Sequence, residues 1–261
     1  MNLLPRSIAA FLTIACLASA AACSTLDEPD TQDIVATIPW DGSEQLTYRL
    51  YEDDDLIGTT TLTVERDGDQ YILTQRSSDD DGNIDEASVV VDGQTLKPQS
   101  ATRNIVDADR REVAASCYAY VGGNQCDDVD PSECDSGVIV RIEEQVFDPP
   151  DESTPSIPRR APLCVPEHGY DNDTSLFIWR TIAFEENYLA NYKTVLTGTR
   201  RTQTVRIEVI TRTTDTPLGE RDAWLVQISA DGKNQRAWFS ADADHKILAY
   251  QNEAFTFELV E

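Results

Sequence analysis

The chain has 261 residues, of which 47 are acidic and 21 are basic, and its formal net charge is −26 at pH 7. This charge excludes nucleic acid as a partner, because no basic stripe exists to neutralise phosphates. The length is sufficient for one large domain with its own core.

Residues 1–22 have the pattern of an export signal. Arg6 precedes an apolar run from Ile8 to Leu17, and small residues follow immediately before Cys23. The run is about ten residues long, whereas roughly twenty are needed to cross a bilayer. We therefore predict a signal peptide at 1–22 and an exported mature chain.

The stretch "ASAAACS", which ends just after Cys23, resembles the lipobox of bacterial lipoproteins. In that motif the cysteine is lipidated and becomes the mature N-terminus. The resemblance implies a diacyl group on Cys23, and two acyl chains are what stable anchoring requires. The protein would then be held on the extracytoplasmic side of a membrane, in the cell envelope. The alternative is ordinary cleavage after Ala22 with Cys23 unmodified. Residues 23–45 are polar and acidic, which predicts a flexible tether.

From Leu46 onward, apolar and polar residues alternate with a period of two, which is typical of strands with one buried face. Turn residues separate the runs, and Asp67-Gly68 and Asp92-Gly93 mark two hairpin turns. The pattern predicts one domain at 46–261 that is mainly β: a single large, antiparallel, strongly curved sheet of about eleven strands, shaped as an open half-barrel.

Four further cysteines lie close together in the sequence: Cys117, Cys126, Cys134 and Cys164. An even number in an exported chain predicts two disulfides, with three connectivities available. We expect Cys126 to pair with Cys134 and Cys117 with Cys164, since the short loop closes easily. A zinc site is the rival interpretation, but there is no Cys-x-x-Cys pair, and we predict no metal. The region 117–169 is predicted to be a local elaboration. Its proline-rich stretch from Asp148 to Pro166 can be neither helix nor interior strand.

One segment departs from the strand pattern. "DNDTSLFIWR" places polar residues that can cap a helix (Asp173, Thr174 or Ser175) before an apolar run. The apolar residues surround the predicted helix on nearly every side, so it must be buried. We predict a short buried helix at 173–184 that fills the concave face of the sheet.

The same residues carry a family resemblance. "SLFIWRTIAF", followed by "TVRIEVITRTTDTPLGERDAWLVQIS" and "AWFSADADHKILAY", resembles a widespread bacterial family of exported proteins of unknown function. Members of that family are similar to the open barrel of the lipoprotein-carrier (Lol) superfamily, in which a sheet wraps around helices. The resemblance implies this fold and an envelope location, and it implies no reaction.

No motif for catalysis is present. The two histidines, His168 and His245, lie outside any nucleophile-elbow or similar motif, and acidic residues are too abundant to mark a carboxylate pair. The acidic stretch at 79–86 lacks the ligands of a calcium loop at its first and last positions. We therefore predict no enzyme activity and no cofactor.

Apolar and aromatic side chains are the remaining candidates for a site. The candidate ligand-lining residues are Phe177, Trp179, Arg180, Phe184, Trp224 and Trp238. In one hypothesis they line a slot for an apolar ligand such as an acyl chain. In the alternative, the protein is a structural or interaction protein of the envelope whose barrel is filled by its own side chains. Arg180 either binds loop carbonyls and an acid such as Asp171 or Asp173, or faces a lipid head group.

Overall fold

The structure, a computed structural model, describes residues 30–109, 112–122, 137–146, 159–166, 168–197 and 199–260. Within these residues fifteen strands form one sheet. Their bounds are β1 Glu44–Glu52, β2 Asp55–Asp67, β3 Gln70–Asp79, β4 Ile84–Asp92, β5 Pro98–Val106, β6 Glu112–Gly122, β7 Gly137–Val146, β8 Arg159–Pro166, β9 Gly169–Asp171, β10 Leu189–Leu196, β11 Arg201–Thr216, β12 Gly219–Ala230, β13 Lys233–Ser240, β14 Ile247–Gln251 and β15 Phe255–Leu259.

The sheet is built from two meanders that meet in its middle. In the first meander, β1 to β8, neighbouring strands in the sequence pair with each other, and the same holds in the second meander, β9 to β15. Strand β15 pairs with β1 and so joins the two meanders. Every pairing is antiparallel except that of β9 with β10, which is parallel. The predicted single, curved, mainly antiparallel sheet is confirmed, with fifteen strands where about eleven were expected. The sheet curves so far that β6 and β9, near its two edges, are joined by a hydrogen bond from Tyr120 to Asp171.

Alternation along the strands places the core inside the curve. In β4, for example, Ala87, Val89 and Val91 are buried, and the residues between them are half-buried. The two predicted hairpin turns are confirmed at Gly68-Asp69 and at the loop that follows Asp92. Gly68 has a φ of 63°, the left-handed conformation that such a turn requires and that glycine adopts without strain.

The predicted helix is present, but it is shorter and tighter than expected. A turn of 3₁₀-helix (Asn172–Thr174) leads into α1 (Ser175–Ile178), and a second 3₁₀ turn (Trp179–Thr181) ends the segment. The N-cap of this segment is Asp171, which precedes all three predicted capping residues. The Asp171 side chain accepts a hydrogen bond from the Asp173 amide. We call residues 172–181 the plug helix. All residues of the plug from Thr174 onward are buried.

The prediction of a flexible tether at 23–45 is wrong for the part that the structure describes. Residues 30–43, which we call the strap, lie against the barrel, and Ile34 and Trp40 are buried in its core. The amide of Gln32 donates to the carbonyl of Asn191 in β10, and the amides of Ala36 and Thr37 donate to the carbonyl of Thr181. Val35 and Ile38 are partly buried and pack against the same core, and the burial of these apolar side chains offsets the cost of ordering a short segment.

The barrel has two unlike ends. The closed end contains the strap, the β4–β5 loop and the β13–β14 loop. There the strap's Asp33 forms an ion pair with Lys97 of the β4–β5 loop, and Arg180 reaches carbonyls of the β13–β14 loop. The open end is formed by the β3–β4, β10–β11, β12–β13 and β14–β15 turns. The plug helix lies between the two ends.

The described part of the proline-rich stretch forms one strand, and this strand lies at an edge of the sheet, in agreement with the prediction of no helix and no interior strand. Strand β8 pairs only with β7 and forms one edge of the sheet. Pro162 and Pro166 are tolerated there because an edge strand leaves backbone amides without a ladder partner. Among the residues that the structure describes, no helix is long and apolar enough to span a bilayer.

Candidate functional site

The closed end is held by a buried arginine. Arg180 is 1% exposed. Its Nη1 and Nη2 lie 2.5 and 3.2 Å from the two carboxylate oxygens of Glu44 in β1. Nη2 and Nε also donate to the carbonyls of Asp244 and His245, at 2.9 and 3.2 Å. The guanidinium lies 5.1 Å from the ring centre of Trp40. Each nitrogen is therefore used within the protein, and the acid is Glu44 instead of the expected Asp171 or Asp173.

A cavity of about 600 Å³ lies at the open end, between the plug helix and the inner face of the sheet. This volume is within the range of pockets that bind small molecules, about 300–1,000 Å³. Its apolar lining includes Leu176, Trp179, Val205, Ile228, Tyr250 and Phe257. Its polar lining includes Gln75, Ser77, Asp85, Arg103, Asn172 and Asp173.

The apolar wall centres on Trp179, which is 5% exposed. Its indole Nε1 donates to the Tyr192 hydroxyl at 2.9 Å, and its ring lies 5.7 Å from that of Tyr250. The candidate lining residues Trp224 and Trp238 are not part of this wall. The hydrogen bond to Tyr192 gives the indole N–H a partner inside the barrel and holds the ring in place. One side of the ring faces the cavity.

The polar wall contains two carboxylates around one guanidinium. Arg103 Nε and Nη2 donate to the two oxygens of Asp85, at 2.9 and 2.5 Å. The third nitrogen, Nη1, lies 3.6 Å from Oδ1 of Asp173. Asp173 Oδ2 is buried and accepts no hydrogen bond. Asp85 and Arg103 were not identified from the sequence. The available signal was their position in the alternation, because Asp85 shares the inward face of Ala87 and Val89.

Behind this wall lies a third carboxylate, Asp171. It is fully buried and accepts hydrogen bonds from the Tyr120 hydroxyl and the Asp173 amide. Burial, reinforced by the nearby charge of Asp173, raises the pKa of Asp171 to about 7. Burial also raises the pKa of Asp173, although the Arg103 guanidinium opposes this shift. One cation, Arg103, thus lies near three acids, and burial is the main cause of the raised pKa of Asp171 and Asp173.

Two ion pairs border the cavity at the open end. Arg201 lies 2.7 Å from Asp231, and Lys233 lies 2.8 Å from Glu253. All four side chains line the cavity and remain substantially exposed to solvent. Exposed pairs of this kind contribute little to stability, about 0–1 kcal/mol.

The six candidate ligand-lining residues are scattered. Trp179 alone lines the cavity, so the other five predictions are wrong. Phe177 is fully buried and Arg180 is enclosed at the closed end. Phe184 packs on Phe239 and stacks on His245, also at the closed end.

The two remaining tryptophans belong to the sheet. Trp224 is half-buried at the edge of the core, near the Arg212 guanidinium. Trp238 is half-buried on β13 between two fully buried neighbours, Ala237 and Phe239, and so lies on the opposite face of the strand. Aromatic residue type alone could not separate these positions, since both faces of a curved sheet carry aromatics.

The predicted pairing of Cys117 with Cys164 does not fit the strand register. Cys117 in β6 lies opposite Glu143 of β7, and Cys164 in β8 lies opposite Ile139 of the same strand. Strand β7 therefore separates the two, and two strand spacings amount to about 9.5 Å. Disulfides require Cα atoms within about 7 Å. Cys126 and Cys134 lie outside the described residues, as does the lipidation candidate Cys23.

The acidic hairpin tip at 79–83 is satisfied by its own atoms. Both carboxylate oxygens of Asp79 accept hydrogen bonds from Asn83, each at 2.7 Å. Across the described ranges, no group of three or more His, Cys, Asp or Glu side chains is arranged to hold a metal ion.

Comparison with known proteins identifies a family and a similar solved structure. The profile of a family described as "Protein of unknown function (DUF3108)" matches residues 46–254. A crystal structure of a beta-barrel-like protein of domain of unknown function DUF1849 from Brucella abortus is similar to this chain, with 12% sequence identity and a TM-score of 0.39. The similarity covers 83% of this chain and 95% of that one. No curated protein sequence matches significantly.

Proposed function

Since this chain belongs to the DUF3108 family, whose name carries no activity, we propose a function from the site itself: binding of an apolar ligand, such as an acyl chain, in the cavity at the open end. The observation that carries this proposal is the cavity of about 600 Å³ beside Leu176 and Trp179. The role that we propose is that of a binding or carrier-like module, similar in that respect to the lipoprotein-carrier barrels, and not that of an enzyme.

The arrangement of the interior supports binding over the alternative of a filled barrel. The closed end is packed with Trp40, Arg180 and Phe184, so the protein has side chains able to fill a barrel. At the open end the same helix presents Leu176 and Trp179 to open space. Apolar surface facing a cavity of this size gains free energy when a ligand removes it from water.

The proposed location follows from the N-terminus. We propose that Cys23 carries a lipid after removal of residues 1–22, and that the barrel is displayed on the extracytoplasmic side of a membrane. Because the cavity and the anchor are independent features, binding can be tested on protein that lacks the anchor.

The test uses a variant that fills the cavity and a matched control. Ala230, at the end of β12, lines the cavity, whereas its neighbour Ser229 faces the other side of the strand. Protein purified without detergent is examined by native mass spectrometry. We expect a co-purified lipid or other apolar molecule with the wild type and with Ser229→Trp, and its loss with Ala230→Trp. The proposal is wrong if the wild type carries no ligand and takes up none from a panel of single-chain lipids.

A further inference from the structure

The charged side chains that line the cavity include one more acid than base. Among the described residues that line it, four side chains are acidic and three are basic. Each basic side chain has its own acid: Arg103 has Asp85, Arg201 has Asp231, and Lys233 has Glu253. Asp173 is the acid left over, since its only cation is the Arg103 that Asp85 already holds.

An anionic head group would find no available cation in this wall. All three nitrogens of Arg103 face carboxylate oxygens, two of them at hydrogen-bonding distance from Asp85. A carboxylate or phosphate would have to break these contacts and would also approach Asp173. The net charge of −26 on the whole chain adds to this repulsion.

A donor would, in contrast, satisfy an atom that now lacks a partner. Asp173 Oδ2 is buried without a hydrogen bond, and such an orphaned acceptor has a free-energy cost that a donor removes. The Asp173 side chain lines the cavity, and the terminal torsion of an aspartate is broad, so orienting the carboxylate toward a donor there costs little free energy.

The plug helix also aligns the acid with the apolar wall. Asp173, Leu176 and Trp179 are three residues apart, and side chains at this spacing lie above one another in a helix of this tightness. They therefore form a row that is acidic at its start and apolar along its length. With a rise of 1.5–2 Å per residue, the row is about 10 Å long.

We propose that the cavity binds a single-chain amphiphile whose head group is a hydrogen-bond-donating cation, such as a primary ammonium, with the head at Asp173 and the chain along Leu176 and Trp179. This inference rests on the proposed function, which requires only that an apolar chain enters the cavity. It adds the chemistry of the head group.

The test compares three ligands with the same chain: dodecylammonium, dodecanol and dodecanoate. Each is titrated by calorimetry below the concentration at which it aggregates, at high salt, where the Debye length falls to about 3 Å at 1 M. Propylammonium, which has the head without the chain, controls for binding of the charge alone. For the wild type we expect dodecylammonium to bind about tenfold more tightly than dodecanol, as one charged hydrogen bond would give, and dodecanoate to bind most weakly.

The matched variants are Asp173→Asn and Glu65→Gln. Both remove one negative charge, but Glu65 is exposed on β2, away from the cavity. Asp173→Asn should abolish the preference for dodecylammonium over dodecanol, while Glu65→Gln should leave this preference unchanged. Asp173→Ser serves as a second variant if the Asn variant folds poorly, and the wild-type comparison of head groups requires no variant.

The outcomes separate the two proposals. If none of the three ligands binds, the proposed function fails and this inference with it. If dodecanol or dodecanoate binds as tightly as dodecylammonium, the cavity is a binding site but the head-group inference is wrong. The inference is also wrong if the preference for dodecylammonium survives in Asp173→Asn.

Discussion

The ionisation of Asp171 links the stability of the folded protein to pH. It joins the two sides of the curved sheet, since it ends β9 and is held by Tyr120 of β6. Burial raises its pKa to about 7 from an ordinary value of 3.8. The folded state therefore holds a proton that the unfolded chain releases at a lower pH. The stabilisation is fully present below about pH 4 and is lost as the pH rises to about 7.

This linkage predicts the behaviour of Asp171→Asn. The variant cannot ionise, so its melting temperature should fall less than that of the wild type between pH 4 and pH 7. The measurement is thermal unfolding across this pH range. Asp67→Asn, at an exposed turn, controls for the general repulsion in a chain with 47 acids. Equal pH profiles for the wild type and Asp171→Asn would contradict the assignment of a buried, protonated acid.

Arg180 provides a second prediction at this scale. Arg180→Ala leaves the Glu44 carboxylate without its cation at a mostly buried site, and breaking such a pair typically costs 3–5 kcal/mol. Ligand affinity should be unchanged in the folded fraction, because Arg180 does not line the cavity. Denaturant unfolding gives the first quantity and calorimetry the second. Arg212→Ala, which breaks the exposed pair with Asp222, should leave stability nearly unchanged. A stable Arg180→Ala variant with weakened ligand binding would support the head-group role for Arg180.

At the scale of elements, the strap stabilises the barrel, because its buried side chains are part of the core. Ile34→Ala should lower the free energy of unfolding by about 2–5 kcal/mol, as truncation of a buried isoleucine does. Thr37→Ala is the control, since the Thr37 side chain is exposed and its backbone bond to Thr181 remains. Chemical denaturation measures both. If the two variants are equally stable, the strap does not contribute to the core in solution.

The cysteines also belong to this scale, because strand order restricts their pairing. We expect Cys117 to be linked to Cys126 or Cys134, and Cys164 to the remaining cysteine, since β7 stands between Cys117 and Cys164. Peptide mapping under non-reducing conditions identifies the pairs. A Cys117–Cys164 linkage would show that the register of β6, β7 and β8 differs from that described.

The elements differ in how well sequence predicts them. Strands such as β4 and β11 alternate between buried and less buried residues over much of their length, and this is the pattern that predicts a strand. The docking of the strap was missed because its apolar residues, from Ile34 to Trp40, are few and follow no period that would reveal a buried face. Most of the lining of the cavity was missed for a related reason. Leu176 lines the cavity, whereas its neighbour Phe177 is fully buried in the core. This difference depends on contacts between strands that are far apart in the sequence, and the local sequence pattern does not encode those contacts.

At the scale of the whole molecule, the proposed anchor can be tested by fractionation. Cys23→Ala should move the protein from the membrane fraction to a soluble or uncleaved precursor form, because no acyl chains would remain to hold it. Immunoblotting of membrane and soluble fractions measures this, with Cys23→Ala protein showing the same melting temperature as the wild-type domain. A cleaved variant that stays with the membrane would rule out lipidation at Cys23.

The docked strap has a geometric consequence for such an anchored protein. Asp30 lies seven positions after Cys23, and a chain of that length extends at most about 25 Å. The strap meets the barrel at its closed end, where Gln32 binds the start of β10, whereas the cavity contains Leu196 at the opposite end of that strand. A lipid on Cys23 would thus be a short leash attached at the base. With the lipidation proposed above, the closed end would stay within about 25 Å of the bilayer, and the cavity would open at the end of the barrel opposite this attachment.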